Sequence, residues 1–219
     1  MKIFDGLEAF LWTDPATNNC NTYLITGEKN ILIDPGHYHL FGHVLDNLSL
    51  HSLSLADIDL VIITHGHPDH IEALKRFEGS SVLVAIGERE FDFIKQVAPH
   101  YGEALGMPNF EPQILLRDGD LELDGINLEV ITSPGHSPGS ICLFWREKKA
   151  LFTGDVVFNG GIGRTDLPGG SGEELKSSIR RLSQLDIEYL LPGHGEILVG
   201  SHHIRANFQE IESFWFGYI

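Results

Sequence analysis

Runs of apolar residues three to five long, broken by glycine, proline and asparagine, recur along the chain. Asn21 to Thr26 is strand-like and stops at the turn signal Gly27-Glu28-Lys29-Asn30, and Ile31-Leu32-Ile33 follows to Asp34-Pro35-Gly36. That pairing predicts a hairpin. Phe41 to Asn47 is a helix candidate, and Leu60-Val61-Ile62-Ile63-Thr64 is an unbroken apolar run of the kind buried on both faces of a sheet. Ile71 to Phe77 reads as helix, Ser81 to Ile86 as strand, and Glu88 to Val97 as helix with Pro99 beyond its end. Leu121 to Ile131 predicts a second hairpin around Asp124-Gly125. Strands are expected at Ser140 to Trp145, Ala150 to Thr153 and Tyr189 to Leu191. Helices are expected at Gly172 to Leu185, capped by Ser171 with Glu174 three residues on, and at His202 to Phe216. Strand groups alternate with helices in both halves, so the class is mixed α and β, two packed sheets with helices outside. No repeat or linker divides the 219 residues, and one domain spanning 1–219 is expected.

Charge narrows the partners. With 15 Lys and Arg against 31 Asp and Glu, the net charge is −16, which disfavours nucleic acid. No apolar run is long enough for a membrane span, and the start carries no signal core, so a cytoplasmic protein is expected. The two cysteines, Cys20 and Cys142, sit in or beside strand-like stretches and read as buried small hydrophobes.

The 12 histidines carry the chemistry. The segment His65-Gly66-His67-Pro68-Asp69-His70 puts four metal-capable side chains directly after a buried-type strand. Imidazole and carboxylate suit zinc, iron or manganese. Gly66 permits a sharp turn and Pro68 suits the entry to a helix. Three further strand ends each carry one ligand-type residue beside glycine: His136 in Ser133-Pro134-Gly135-His136-Ser137-Pro138-Gly139, Asp155 in Phe152-Thr153-Gly154-Asp155, and His194 in Leu191-Pro192-Gly193-His194-Gly195. The other histidines (His37, His39, His43, His51, His100, His202, His203) lack this setting and are read as solvated or packed, with His37 and His39 placed to line a cleft.

This series, His-x-His-x-Asp-His followed by a lone His, an Asp and a His at strand ends, resembles the metallo-β-lactamase-fold superfamily. Asn21-Thr22-Tyr23-Leu24 and Leu32-Ile33-Asp34-Pro35-Gly36 are similar to its opening strands. The resemblance implies an αββα four-layer sandwich. It implies one metal held by His65, His67 and His136, a second held by Asp69, His70 and His194, and Asp155 bridging them. The β-lactamases of this fold usually have Cys where Asp155 stands, so lactam hydrolysis is not expected. Thr153 to Gly170, with Gly163-Arg164-Thr165-Asp166, is similar to the glyoxalase II-like group of hydroxyacylglutathione hydrolases.

That implies a thioesterase using hydroxide on a pair of divalent metals, zinc or mixed zinc and iron, with Asp69 orienting the nucleophile. Three alternatives stay open: a persulfide dioxygenase with one Fe(II) on His65, His136 and Asp155, a lactonase, and a structural metal-binding protein. Arg164 and Asp166 are either a structural ion pair or substrate contacts. The substrate class implied is a small thioester or ester. A homodimer through Phe214-Trp215-Phe216 is possible, with core packing the favoured role for that segment.

Overall fold

The computed structural model describes residues 1–101 and 110–219, with backbone alone over 99–101. The chain starts with β1 (Lys2–Phe4), β2 (Leu7–Phe10), β3 (Thr22–Ile25) and β4 (Ile31–Ile33), then α1 (Gly42–Leu50), β5 (Leu60–Ile63) and α2 (Pro68–Ile71). Next come β6 (Leu83–Gly87), α3 (Glu88–Tyr101) and β7 (Ile114–Leu116). The second half holds β8 (Gly119–Leu123), β9 (Ile126–Thr132), β10 (Ile141–Trp145), β11 (Ala150–Gly154), β12 (Val157–Phe158) and β13 (Gly161–Ile162). It ends with α4 (Gly172–Leu182), β14 (Tyr189–Pro192), β15 (Leu198–Val199) and α5 (Ser201–Phe214).

Strands β1 to β7 lie in chain order in one sheet, antiparallel from β1 to β4 and parallel from β4 to β7. The second sheet runs β15-β14-β11-β10-β9-β8, with β11 and β14 its parallel pair. Period-2 geometry explains why apolar runs suit these strands. Leu60 and Ile62 of β5 face the core between the sheets, with Tyr23, Leu128, Leu143 and Phe152. Val61 and Ile63 face the opposite way, onto Val44, Leu48, Ile71 and Ile94 from α1 to α3. The second sheet divides likewise: Cys142, Leu151 and Leu190 turn outward onto Leu175 and Ile179 of α4 and Ile204 and Phe208 of α5. Three apolar layers between four layers of elements make the expected αββα sandwich.

The expected hairpins form. Leu123 pairs Ile126 across Asp124-Gly125, whose φ values of 45° and 86° suit a two-residue turn of primed type. Ser171 caps α4 by accepting the Glu174 amide, a contact worth about 1 kcal/mol. Cys20 and Cys142 are fully buried. Trp215 and Phe216 pack against the outer layer of the second sheet, while Phe214 is exposed.

Several boundaries differ from expectation. The helix expected from Ile71 begins at Pro68, and Glu72–Phe77 is wound as 3₁₀. Helix α3 runs through Pro99 to Tyr101, since a proline in a last turn forfeits only one ladder bond. Helix α4 stops at Leu182. The side chain of His100 lies outside the described residues. Among the described residues, no helix is long and apolar enough to cross a membrane.

Candidate metal centre

Strand β5 ends at Ile63 and delivers His65 two residues on, past the buried Thr64. His67 has extended backbone (φ −73°, ψ 148°) and is the N-cap of α2, whose first residue is Pro68. Asp69 and His70 follow inside that helix. His136 sits between β9 and β10, Asp155 directly after β11, and His194 after β14. Thus one rim collects the carboxyl ends of strands from both sheets. Gly66 is needed for room rather than for a turn: its φ is not positive, and a Cβ there would lie 2.6 Å from Ile94 Cδ1.

The seven side chains converge. His136 Nε2 lies 2.8 Å from His67 Nδ1 and 3.2 Å from His65 Nε2. His194 Nε2 lies 3.3 Å from His70 Nε2 and 3.2 Å from Asp69 Oδ2. Asp155 stands between these groups. Its Oδ1 is 3.3 Å from His70 Nε2, and its Oδ2 is 3.6 Å from His136 Nε2 and 3.4 Å from His194 Nε2. Donor atoms within 4.8 Å of one another form three sets here: His65/His67/His136, Asp69/His70/His194 and His65/His70/Asp155.

The far nitrogens fix the rings. His136 Nδ1 donates to the Arg164 carbonyl at 2.8 Å, and His70 Nδ1 to Asp34 Oδ2 at 2.8 Å. His65 Nδ1 lies 3.1 Å from Thr64 Oγ1, whose hydroxyl donates to Asp34 Oδ2 at 2.6 Å. With each Nδ1 carrying its proton, the Nε2 lone pairs of His65, His70 and His136 turn inward. Lone pairs facing each other at these distances repel unless a proton or a cation sits between them.

Titration points the same way. Burial holds His65 and His136 below the usual histidine value, and brings His67 to about 4. His194 rises to about 9: burial opposes this, but hydrogen bonds to Asp155 and Asp69 outweigh it. Burial would raise the Asp155 carboxyl, yet the adjacent His70 and His194 hold it well below the carboxylate range. The two carboxylates thus favour positive charge at this end of the cluster, which a cation can supply.

The donor set fits divalent cations on two further observations. Asp155 Oδ1 is buried without a hydrogen-bond partner. A Cβ at Gly193 would lie 2.2 Å from that same oxygen, so only glycine leaves the space clear.

The site opens on a cleft of roughly 510 Å³. His67, Asp69, His136, Asp155 and His194 form its floor, and Phe93, Ile94, Val97, Phe158, Leu167 and Pro168 its apolar wall. Asn18 also lines it and donates to Asp69 Oδ2 at 2.6 Å.

Arg164 and Asp166 form an exposed bidentate pair, with both hydrogen bonds at 2.7 Å, and Arg164 reaches the cleft. His37 and His39 do not line the cleft; they meet Glu72 on the surface, with His37 Nδ1 2.9 Å from Glu72 Oε2. His43 is half-buried, and His51, His202 and His203 are exposed.

Sequence reasoning missed three contributors: Asp34, Glu90 and the Arg164 carbonyl. Asp34 looks like one letter of a turn signal. It has φ 53° and accepts from the Thr64 amide at 2.8 Å as well as from the Thr64 hydroxyl and His70. Glu90 carried a usable signal, since Glu90, Ile94 and Val97 share the i, i+4, i+7 stripe that α3 turns inward.

Comparison with known proteins agrees with this geometry. The family model described as "Metallo-beta-lactamase superfamily" matches residues 16–202. A probable metallo-hydrolase of Methanocaldococcus jannaschii is 38% identical over 187 residues, covering 81% of this chain and 88% of that protein. The hydroxyacylglutathione hydrolase GloC of Haemophilus influenzae is 34% identical over 198 residues, covering 86% and 91%. Among solved structures, TTHA1623 in a di-iron-bound form superposes with a TM-score of 0.69 at 30% identity, covering 85% of this chain and 92% of that one.

Proposed function

The chain belongs to the metallo-beta-lactamase superfamily, as one of its metallo-hydrolases, and from that premise we propose that it hydrolyses small thioesters, in the manner of the hydroxyacylglutathione hydrolases. The observation that carries this reading is the pair of donor groups sharing Asp155 on the floor of one cleft. Kinship with a hydroxyacylglutathione hydrolase supports the thioester bond as the target.

In this reading His65, His67 and His136 would hold one divalent cation and Asp69, His70 and His194 another, with Asp155 available to both. Zinc, or zinc with iron, suits the mixture of imidazole and carboxylate. Such cations, when bound, make water a nucleophile at neutral pH and polarise a carbonyl oxygen.

The chain's own groups do the rest. The Asp69 carboxyl is held down by His194 and His70 against the effect of burial, so it is ionised and accepts hydrogen bonds only. It would accept a hydrogen bond from the attacking water and orient it, while Asn18 donates to its Oδ2. The outward hydrogen bonds of His70 and His136 keep their inner nitrogens aimed at the floor. Phe93, Ile94, Val97 and Leu167 exclude water and give the acyl group an apolar surface. A thiolate leaving group is a weak base and leaves with little acid assistance.

The test is release of free thiol from a panel of acyl thioesters, beside matched oxygen esters and lactones, with and without chelator. Chelator-sensitive thioester turnover well above that of the esters and lactones supports the reading. A lactone or ester preferred over every thioester would replace it.

A further inference from the structure

The first turn of α3 is wedged between two loops that come from different sheets. Glu90, the third residue of that helix, is 1% exposed and has three donors around one carboxylate. Its Oε1 accepts from the Gly66 amide at 2.7 Å. Its Oε2 accepts from the Ser137 hydroxyl and the Gly139 amide, each at 2.8 Å. Gly66 lies between His65 and His67, while Ser137 follows His136. One side chain therefore ties together the two backbone segments that carry His65, His67 and His136.

The tie is directional. Ser137 spends its hydrogen on Glu90, so the Ser140 hydroxyl, 2.6 Å away, donates to Ser137. The Ser140 oxygen in turn accepts from the Ser137 amide at 3.3 Å. All three partners of Glu90 donate, which only a group with no hydrogen of its own satisfies completely. The fit is also close: a Cβ at Gly139 would lie 2.0 Å from the Glu90 amide nitrogen. Against this, Asp69, His70 and His194 take nothing from Glu90. Among them, the His70 ring is steered by Asp34.

We propose that Glu90 is a positioning residue for one half of the metal centre. It sets the spacing of the His65/His67 loop from His136, and so controls cation affinity at that half and not at the Asp69/His70/His194 half. This rests on the two-cation reading above.

Glu90→Gln tests it with nearly unchanged volume. The amide presents one oxygen and one NH₂ where three donors converge, so whichever way it turns, a backbone N–H or the Ser137 hydroxyl meets another donor. Zinc is titrated into metal-free protein against a chromogenic chelator, for the wild type, for Glu90→Gln, and for each in His136→Ala and His194→Ala backgrounds that leave one half intact. The expected result is two zinc ions per wild-type chain. Glu90→Gln should weaken the His65/His67/His136 half by roughly 10–100-fold, as for other groups that orient ligands from outside. The other half should stay within about twofold, well below that range, and kcat should fall more than KM rises.

Two results overturn the inference: Glu90→Gln binding both ions as the wild type does, or losing affinity equally at both halves, which marks a general loosening. Fewer than two zinc ions on the wild type would instead overturn the two-cation reading itself, and this inference with it. If Glu90→Gln fails to fold, Ser137→Ala removes one donor and keeps the carboxylate. A shift of several-fold confined to the same half is then expected, and an unchanged or evenly shared affinity overturns the proposal.

Discussion

The two halves of the donor cluster grow from one six-residue loop, yet they are secured in opposite ways. His65, His67 and His136 are three imidazoles that burial keeps neutral, drawn from two sheets and tied across the gap by Glu90. Asp69, His70 and His194 include an ionised carboxylate, and His70 is braced by Asp34 within the first sheet's own rim. A neutral nest attracts a cation only through well-aimed lone pairs, so its affinity depends on position. A nest with a carboxylate also has long-range attraction, which tolerates small displacements. The difference teaches that tethering matters most where charge is least.

The largest effect is expected at the residue common to both. Asp155→Ala removes the oxygens that face His70, His136 and His194 together. Metal content should fall at both halves, and turnover by roughly 10³-fold or more, matching the several kcal/mol that such cations supply. Elemental analysis showing two metals retained would break the idea that one carboxylate serves both halves.

Next come the single-half variants. His136→Ala and His194→Ala should each leave one metal per chain and cut kcat by about 10²-fold or more, beyond the range for groups that touch a ligand only from outside. Equal metal loss in the two variants, down to none, would show the halves to be one cooperative site. Asp34→Asn is the counterpart of Glu90→Gln. Asparagine tolerates the left-handed backbone at this position, so the fold should survive. The amide can no longer accept from both Thr64 and His70 through equivalent oxygens, and zinc affinity at the Asp69/His70/His194 half should drop by about 10–100-fold, more than at the other half, which Asp34 reaches only through Thr64. A drop at the other half instead would reverse the comparison.

The cluster of donor side chains was legible and its supports were not. His65-Gly66-His67-Pro68-Asp69-His70 stands out because an apolar strand ends in four donors, and His136, Asp155 and His194 because each follows an apolar run beside glycine. The layer structure was legible for the same reason, since strand runs and helical stripes obey local periods. Asp34 and Glu90 act across 36 and 24 residues respectively, on His70 and Gly66; the stripe of α3 marks Glu90 as facing inward, but no local pattern encodes its partner. Short strands also escaped: β1, β7 and β15 have two or three residues each, and only their neighbours in the sheet make them strands. The proline at 99 misled in the other direction, because a breaker in a final turn removes too little to end a helix.

The smallest effect is expected furthest from the donors. Arg164 plays two separate parts: its carbonyl holds His136 Nδ1, while its side chain pairs with Asp166 in solvent at the cleft's rim. Arg164→Ala keeps the backbone carbonyl and deletes only the guanidinium. An exposed ion pair contributes little to stability, so the thermal midpoint and the metal content should match the wild type. If the guanidinium meets substrate, KM rises several-fold with kcat nearly constant, the pattern of an interaction made equally in ground and transition states. An unchanged KM would assign the pair to the loop's structure alone. A lost metal would be the more informative failure, because it would mean that the side chain sets the carbonyl on which His136 depends, and that the neutral half is tethered at its outer edge as well as through Glu90.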